Sequence, residues 1–388
     1  MNTNANFANV TFRIVDGQLV IDPIDVTVTI TEHGDKLDYD GAAHTVTGYD
    51  VEIGNALYKE SDFTFSGNDS VSGTNAGSYG MELKAEDFTN KNANFGTVTF
   101  KIVDGQLVID PIDVVVTIVG QNSTVPYDGE EHSVNGYKVE ISNPLYTESD
   151  YTFDGTDEAG RSDAGTTNMG LKAGQFKNTN GNFAKVTFNV TDGYQTIDPI
   201  NATVTIVGAD NTVTFDNQEH VTSGYTATAS TGLYNVNNDF EFTGSAEAKR
   251  ITVGKTDMGL AAEQFKNTNP NFATVTFEVT DGYQRITPEN QVVVTIKGNS
   301  NTSAYDGKAH NVSGYEVEIS NPLYTVNDFT FSGTAEAGRT DAGKTEMGLS
   351  ADQFANQNEN FANVTFKVTD GYQAIDKINA TVTITGHN

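Results

Sequence analysis

Apolar and polar residues alternate along many short stretches of this chain. Val26-Thr-Val-Thr-Ile30, Val98-Thr-Phe-Lys-Ile102 and Val275-Thr-Phe-Glu-Val279 each send every second side chain to the same face. That period of two predicts strands half-buried against a core. Tyr137–Ile141, Asp150–Phe153 and Asn168–Leu171 read as further strands between turns rich in Gly, Asn and Ser. No stretch holds a 3.6-residue period long enough for a helix, and a single helical turn is expected at Ala85–Phe88 and at its counterpart Ala262–Phe265. Asp104-Gly105, Asp192-Gly193, Asp281-Gly282 and Asp370-Gly371 each separate two alternating runs. Asp-Gly favours a two-residue hairpin turn, so a hairpin with its glycine at positive φ is predicted at each.

These elements recur. Tyr39-Asp40-Gly41-Ala-Ala-His44 returns as Tyr127-Asp128-Gly129-Glu-Glu-His132, Phe215-Asp216-Asn217-Gln-Glu-His220 and Tyr305-Asp306-Gly307-Lys-Ala-His310. Asn-x-Asn-Phe recurs with its Phe at 7, 95, 183, 272 and 361. The period of about 88 residues exceeds the roughly 20–50 of solenoid repeats and suits a domain with its own core. About seven short strands per period predict an antiparallel β-sandwich, repeated in tandem. Asp22-Pro23, Asp110-Pro111, Asp198-Pro199 and Thr287-Pro288 follow each Asp-Gly segment, where a residue lacking N–H marks a linker. The predicted repeats are therefore 25–112, 113–200, 201–289 and 290–378. Residues 1–24 read as the closing hairpin of a preceding repeat and 379–388 as the opening strand of a following one, whose unpaired edges would let chains associate head to tail. Linkers of two to four residues predict an elongated rod of nearly contiguous beads.

Composition narrows the function classes. Lys and Arg number 22 against 52 Asp and Glu, a net charge of −30, which repels phosphate backbones and anionic membrane surfaces. Nucleic acid is thereby excluded as a partner. No apolar run approaches the ~18 residues of a membrane-spanning helix, and no signal-peptide core follows Met1. With no cysteine, disulfides, thiolate chemistry and Cys-based zinc sites are absent.

The Tyr-Asp-Gly-x-x-His opening, the Asn75-Ala76-Gly77-Ser78-Tyr79 and Asp163-Ala164-Gly165-Thr166 middles, and the Asn94-Phe95 to Asp104-Gly105-Gln-Leu-Val-Ile109-Asp-Pro111 ending resemble the MBG-type and related immunoglobulin-like tandem repeats of large bacterial cell-surface proteins. The likeness spans nearly the whole chain. It implies an all-β tandem array of immunoglobulin-like sandwiches, secreted and displayed at a bacterial surface or anchored in the cell wall. The function it implies is a non-enzymatic stalk of an adhesin, with a multivalent array binding glycans or host proteins as the alternative.

No residue is assigned a catalytic, cofactor-binding or metal-binding role, and no cofactor is expected. His44, His132, His220 and His310 are each the sole histidine at that place in the repeat, four residues after an Asp, and are expected to close the Tyr-Asp-Gly turn by hydrogen bonding. A calcium site at the junctions would use Asp22/Asp25 and Asp110/Asp113, yet the later junctions read Asp198/Asn201 and Thr287/Asn290, so the charge dwindles along the chain. Self-made Lys–Asn links would need a recurring lysine, and none holds its place in all four repeats. Gln175, Gln264 and Gln353, candidates for a Thr–Gln ester, read otherwise as loop residues ahead of a buried Phe. In Leu57-Tyr58, Leu145-Tyr146, Leu233-Tyr234 and Leu323-Tyr324, Leu is expected in the core and Tyr on its margin, where it would meet any sugar.

Overall fold

The computed structural model describes residues 1–385, and every regular element longer than one turn is a strand. The first repeat contains β1 Ile24–Glu32, β2 Asp35–Asp38, β3 His44–Thr47, β4 Tyr49–Ile53, β5 Phe63–Phe65, β6 Ser70–Gly73, β7 Gly77–Gly80, β8 Phe88–Asn90, β9 Phe95–Val103 and β10 Gln106–Asp110. They form two three-stranded sheets, ordered β4-β1-β9 and β2-β10-β7, and two strand pairs, β3-β6 and β5-β8. The same order recurs three times, so the protein is an all-β tandem array of paired-sheet units. Single 3-10 turns occupy Ala85–Asp87 and Ala262–Gln264, as the sequence predicts.

Alternation sets the core. In β1, Val26, Val28 and Ile30 are buried while the threonines between them face outward or sideways. They pack on Tyr58, Phe63, Phe88, Phe95, Leu107 and Ile109. The rings meet mostly edge to face, Tyr58 on Phe95 at 4.8 Å and Phe63 on Phe100 at 5.3 Å between centroids, an arrangement that adds to simple burial.

Two parallel pairings run among the antiparallel ones: β1 with β9, from Val26↔Val98 to Thr31↔Val103, and β2 with β10, from Asp35↔Leu107 to Asp38↔Asp110. Their cause corrects the reading of Asp-Gly. β9 and β10 belong to different sheets, so Asp104-Gly105 carries the chain from one sheet to the other instead of turning a hairpin. β1 and β2 cross beside it in the same direction, at His33-Gly34. The glycines at 105, 193, 282 and 371 are not among those with positive φ. What requires them is close approach: a Cβ on Gly193 would lie 2.3 Å from the Gln121 carbonyl oxygen, and one on Gly120 would lie 2.3 Å from the Gly193 nitrogen. Asp192 caps the crossing by accepting the Gly170 and Leu171 N–H groups, as Asp281 and Asp370 do in later repeats. In the first repeat Glu32 stands where the others have Gly120, Gly208 and Gly298, and its buried carboxylate accepts from Leu83 and Gly105 instead.

The chain divides into two compact units, one of Met1–Val125 with Glu131–Ile197, the other of Pro126–Glu130 with Asp198–Asn388. Residues 1–23, expected to hold a closing hairpin, contain no strand, and neither do 377–385. In the repeats a β9-type strand gains its backbone partners from β1, and no described strand lies beside these segments. Phe12, Ile14, Leu19, Val382 and Ile384 are consequently exposed. The last part of the expected opening strand, 386–388, lies outside the described residues.

Candidate functional site: the junction between repeats

The sequence singled out no chemical centre, and among the described residues no three His, Asp or Glu side chains gather as metal ligands do. The feature that most distinguishes the fold is how one repeat meets the next. Within the first unit a single residue, Pro111, separates β10 from the following strand Ile112–Gly120. Both flanks are tied down: Tyr39 N–H donates to the Asp110 carbonyl and Ile112 N–H to the Asn182 carbonyl. Proline adds a fixed φ, so little freedom remains in the link.

Two side chains of the recurring Asn-x-Asn-Phe build the rest of the junction. Phe183, buried, meets Tyr146 of its own repeat at 4.8 Å and Tyr39 of the preceding one at 5.8 Å, both edge to face. Asn182 Oδ1 accepts the Ala76 N–H at 2.7 Å, and its Nδ2 donates to Asn75 Oδ1. Leu145 lies over Gly41, where a Cβ would come within 3.0 Å of it. The second unit repeats the plan: Phe361 meets Tyr324 at 5.0 Å and Phe215 at 5.5 Å, and Asn360 Oδ1 accepts the Val253 N–H at 2.8 Å. There Asn217, at φ 58°, replaces the turn glycine, a substitution this side chain tolerates. Also in that unit, Tyr127 meets Phe272 at 5.9 Å.

The loop that receives the asparagine is held from beneath. In the second unit Arg250 donates to the Val253 carbonyl and to Thr256 Oγ1, and the corresponding loops of the second and fourth repeats carry like bonds from Arg161 to Asp163, Ala164 and Thr167 and from Arg339 to Asp341, Ala342 and Thr345. In the first repeat Gly73 and Tyr79 take the places of the Arg and Thr. The Tyr79 hydroxyl donates to the Asn75 carbonyl, and its ring fills the space where a Gly73 side chain would start.

The tyrosine before this segment is the reverse of what the sequence predicted. Tyr58, Tyr146, Tyr234 and Tyr324 are 1–4% exposed, whereas Leu57 is 73% exposed. Hydropathy favours Leu inside, but the buried hydroxyl finds two partners: Tyr146 donates to the Asp150 carbonyl and to Asn178 Oδ1. Burial, assisted by the nearby Asp150, Asp239 and Asp328 charges, pushes the hydroxyls of Tyr146, Tyr234 and Tyr324 up to about 12, so each stays a donor. These rings are not available to a sugar.

From that tyrosine a ladder of asparagines runs outward. Asn178 Oδ1 accepts the Asn180 N–H, and Asn180 Oδ1 accepts the Asn182 N–H. Asn180 Nδ2 donates to Asp150 Oδ1, anchoring the ladder sideways. Asn90/92/94, Asn267/269/271 and Asn356/358/360 repeat it. Asn2, Asn4 and Asn6 form the same steps with no repeat body around them, so the ladder is local structure of successive Asx turns. The spacing Asn-x-Asn-x-Asn-Phe, five times over, was the available signal; sequence reading used only its last half, as a marker for the strand.

The other candidates fall into structural places. His44, His220 and His310 donate from Nε2 to the carboxylates of Asp40, Asp216 and Asp306 at 2.9 Å, closing the turn as predicted, and this bond holds those carboxyls below the usual carboxylate range. Asp25 Oδ1 accepts the Thr97 N–H and Asn201 Oδ1 the Thr274 N–H at the bulge beside β1-type strands. Only an acceptor oxygen is needed there, which explains how Asp gives way to Asn along the chain. Asp110 pairs with Lys36 at 2.9 Å. Gln175, Gln264 and Gln353 accept the N–H three residues earlier and cap the 3-10 turn ahead of a buried Phe.

No family model matches the chain, and no curated protein does. Among solved structures it is similar to the I9–I11 tandem of titin (9% identity, TM-score 0.16, 68% of this chain and all of that one). It is also similar to the N-terminal eight Ig domains of Down Syndrome Cell Adhesion Molecule (7%, 0.18, 93% and 48%) and to the Bacillus anthracis TIE protein (9%, 0.19, 88% and 74%).

Proposed function

We propose that this chain is a non-enzymatic stalk of a secreted bacterial surface protein, holding a binding domain away from the cell. The observation that supports it most is the junction: a one-residue linker at Pro111, with Tyr39, Phe183 and Asn182 packed across it, resists bending in a way that a flexible tether does not. The resemblance of the repeats to those of bacterial surface proteins supplies the location and the adhesin context. The alternative, a multivalent glycan- or host-protein-binding array, is weakened because Tyr146 and Tyr324, its intended contacts, are buried. Small-angle scattering of the whole chain tests the reading. A cross-section of one repeat, unchanged between low and high salt, is expected. A compact or broadly flexible profile, or saturable binding on a glycan array, refutes it.

A further inference from the structure

We propose that the asparagine ladder is a coupling element: within each unit it ties the core of the later repeat to the receiving loop of the earlier one, so that the two open together. The proposal holds whether the chain is a spacer or a binding array. Two arms leave the same buried tyrosine. The polar arm runs from the Tyr146 hydroxyl through Asn178, Asn180 and Asn182 to the Ala76 N–H, every step being a hydrogen bond of 2.7–3.1 Å. The apolar arm is the Phe183 ring, lodged between Tyr146 and Tyr39. In the second unit Tyr324, Asn356, Asn358 and Asn360 lead to the Val253 N–H, with Phe361 lodged between Tyr324 and Phe215. Because residues 2–7 form the ladder unaided, it is a stiff part inserted between two bodies and not a loop moulded by them. Each asparagine oxygen is aimed by the bond before it, so a loosened Tyr146 misplaces the last amide. The preceding loop then loses the partner of its N–H. Coupling of this kind is reciprocal.

Repeat-resolved hydrogen exchange on the full chain tests this. Tyr146→Phe deletes one hydroxyl and leaves the ring. Exchange at Ala76 and across 70–80 is expected to rise roughly three- to tenfold, the effect of weakening about one hydrogen bond, with residues 201–378 unchanged. Asn182→Ala, at the far end, is expected to speed exchange around 145–152 by reciprocity. Tyr146→Phe effects confined to 112–198, or Asn182→Ala effects confined to Ala76 itself, overturn the proposal. If Tyr146→Phe unfolds its repeat outright, the Asn182→Ala arm decides alone.

Discussion

Gly193→Ala distinguishes the two physical reasons a glycine can be required. The new Cβ would sit 2.3 Å from the Gln121 carbonyl oxygen and 2.6 Å from Met169 Sδ. The methionine can move away, but the carbonyl cannot. It follows the strand Ile112–Gly120 directly and accepts the Tyr194 N–H at 3.2 Å. Relief therefore means parting the two crossing segments, which costs about 1–3 kcal/mol for overpacking and about 1 kcal/mol for the lost hydrogen bond, roughly 2–4 kcal/mol in all. A domain of this size is stable by about 4–13 kcal/mol at ~0.05–0.15 kcal/mol per residue, so the second repeat loses much of its margin. Gly181→Ala, into open space, is the control and should lie within about 1 kcal/mol of the parent. Hydrogen exchange resolved by repeat reads both, since a chain of several repeats has no single unfolding free energy. Asn at 193 is the decisive arm. A left-handed turn would accept Asn, as position 217 does, while a close approach of backbones rejects it as firmly as Ala. If Gly193→Asn proves neutral, the crossing geometry described above is wrong.

Four further outcomes follow from other sites. Gln195 is fully buried with its Oε1 unpartnered, whereas the equivalent oxygens of Gln284 and Gln373 accept from Asn211 and Asn301, and Gln284 also from Thr222. Ser123→Asn or Val134→Thr should therefore stabilise the second repeat by about 1 kcal/mol, read as slower exchange in 112–198. The tyrosine hydroxyls raised to about 12 contribute stability that is fully present below the ordinary tyrosine value near 10 and is lost as pH rises through 12, so circular dichroism should show alkaline unfolding in that window. Conversely Asp40, Asp216 and Asp306, held low first by their histidines, favour the fold above the ordinary Asp value near 4 and lose that contribution as pH falls through their lowered values. Finally, EDTA against millimolar Ca²⁺ should leave the melting temperature unchanged, because Asp25 and Asn201 are both spent on backbone N–H groups. A rise of ten degrees with calcium would refute this.

Much of the fold was legible because it is written in short-range pattern. Val26-Thr-Val-Thr-Ile30 has one apolar face whatever surrounds it, and the Tyr-Asp-Gly-x-x-His turn is closed by residues four apart. What sequence concealed were contacts between distant segments. Asp104-Gly105 looks like a hairpin locally, and only the parallel crossing of His33-Gly34 beside it, some seventy residues earlier, gives the glycine its reason. Leu57-Tyr58 is inverted because Asn90, thirty-two residues on, satisfies the hydroxyl. The junction was hidden for the same cause: Asn182 is only a recurring marker ahead of a strand until Ala76, in another repeat, is brought to it.

The parallel pairing of β1 with β9 bears on tension. A pull along the chain enters a repeat at Ile24, ahead of β1, and leaves at Asp110, the end of β10. β1 and β9 point the same way, so the pull drags them past each other along their length. Six successive residue pairs, Val26↔Val98 through Thr31↔Val103, then share the strain at once instead of parting one after another as in a zipper. Rupture under such shear demands that the whole row yield together, and the rate of forced unfolding is set by that barrier, not by equilibrium stability. Each repeat would thus behave as a stiff link up to a threshold force and as a reserve of slack chain beyond it.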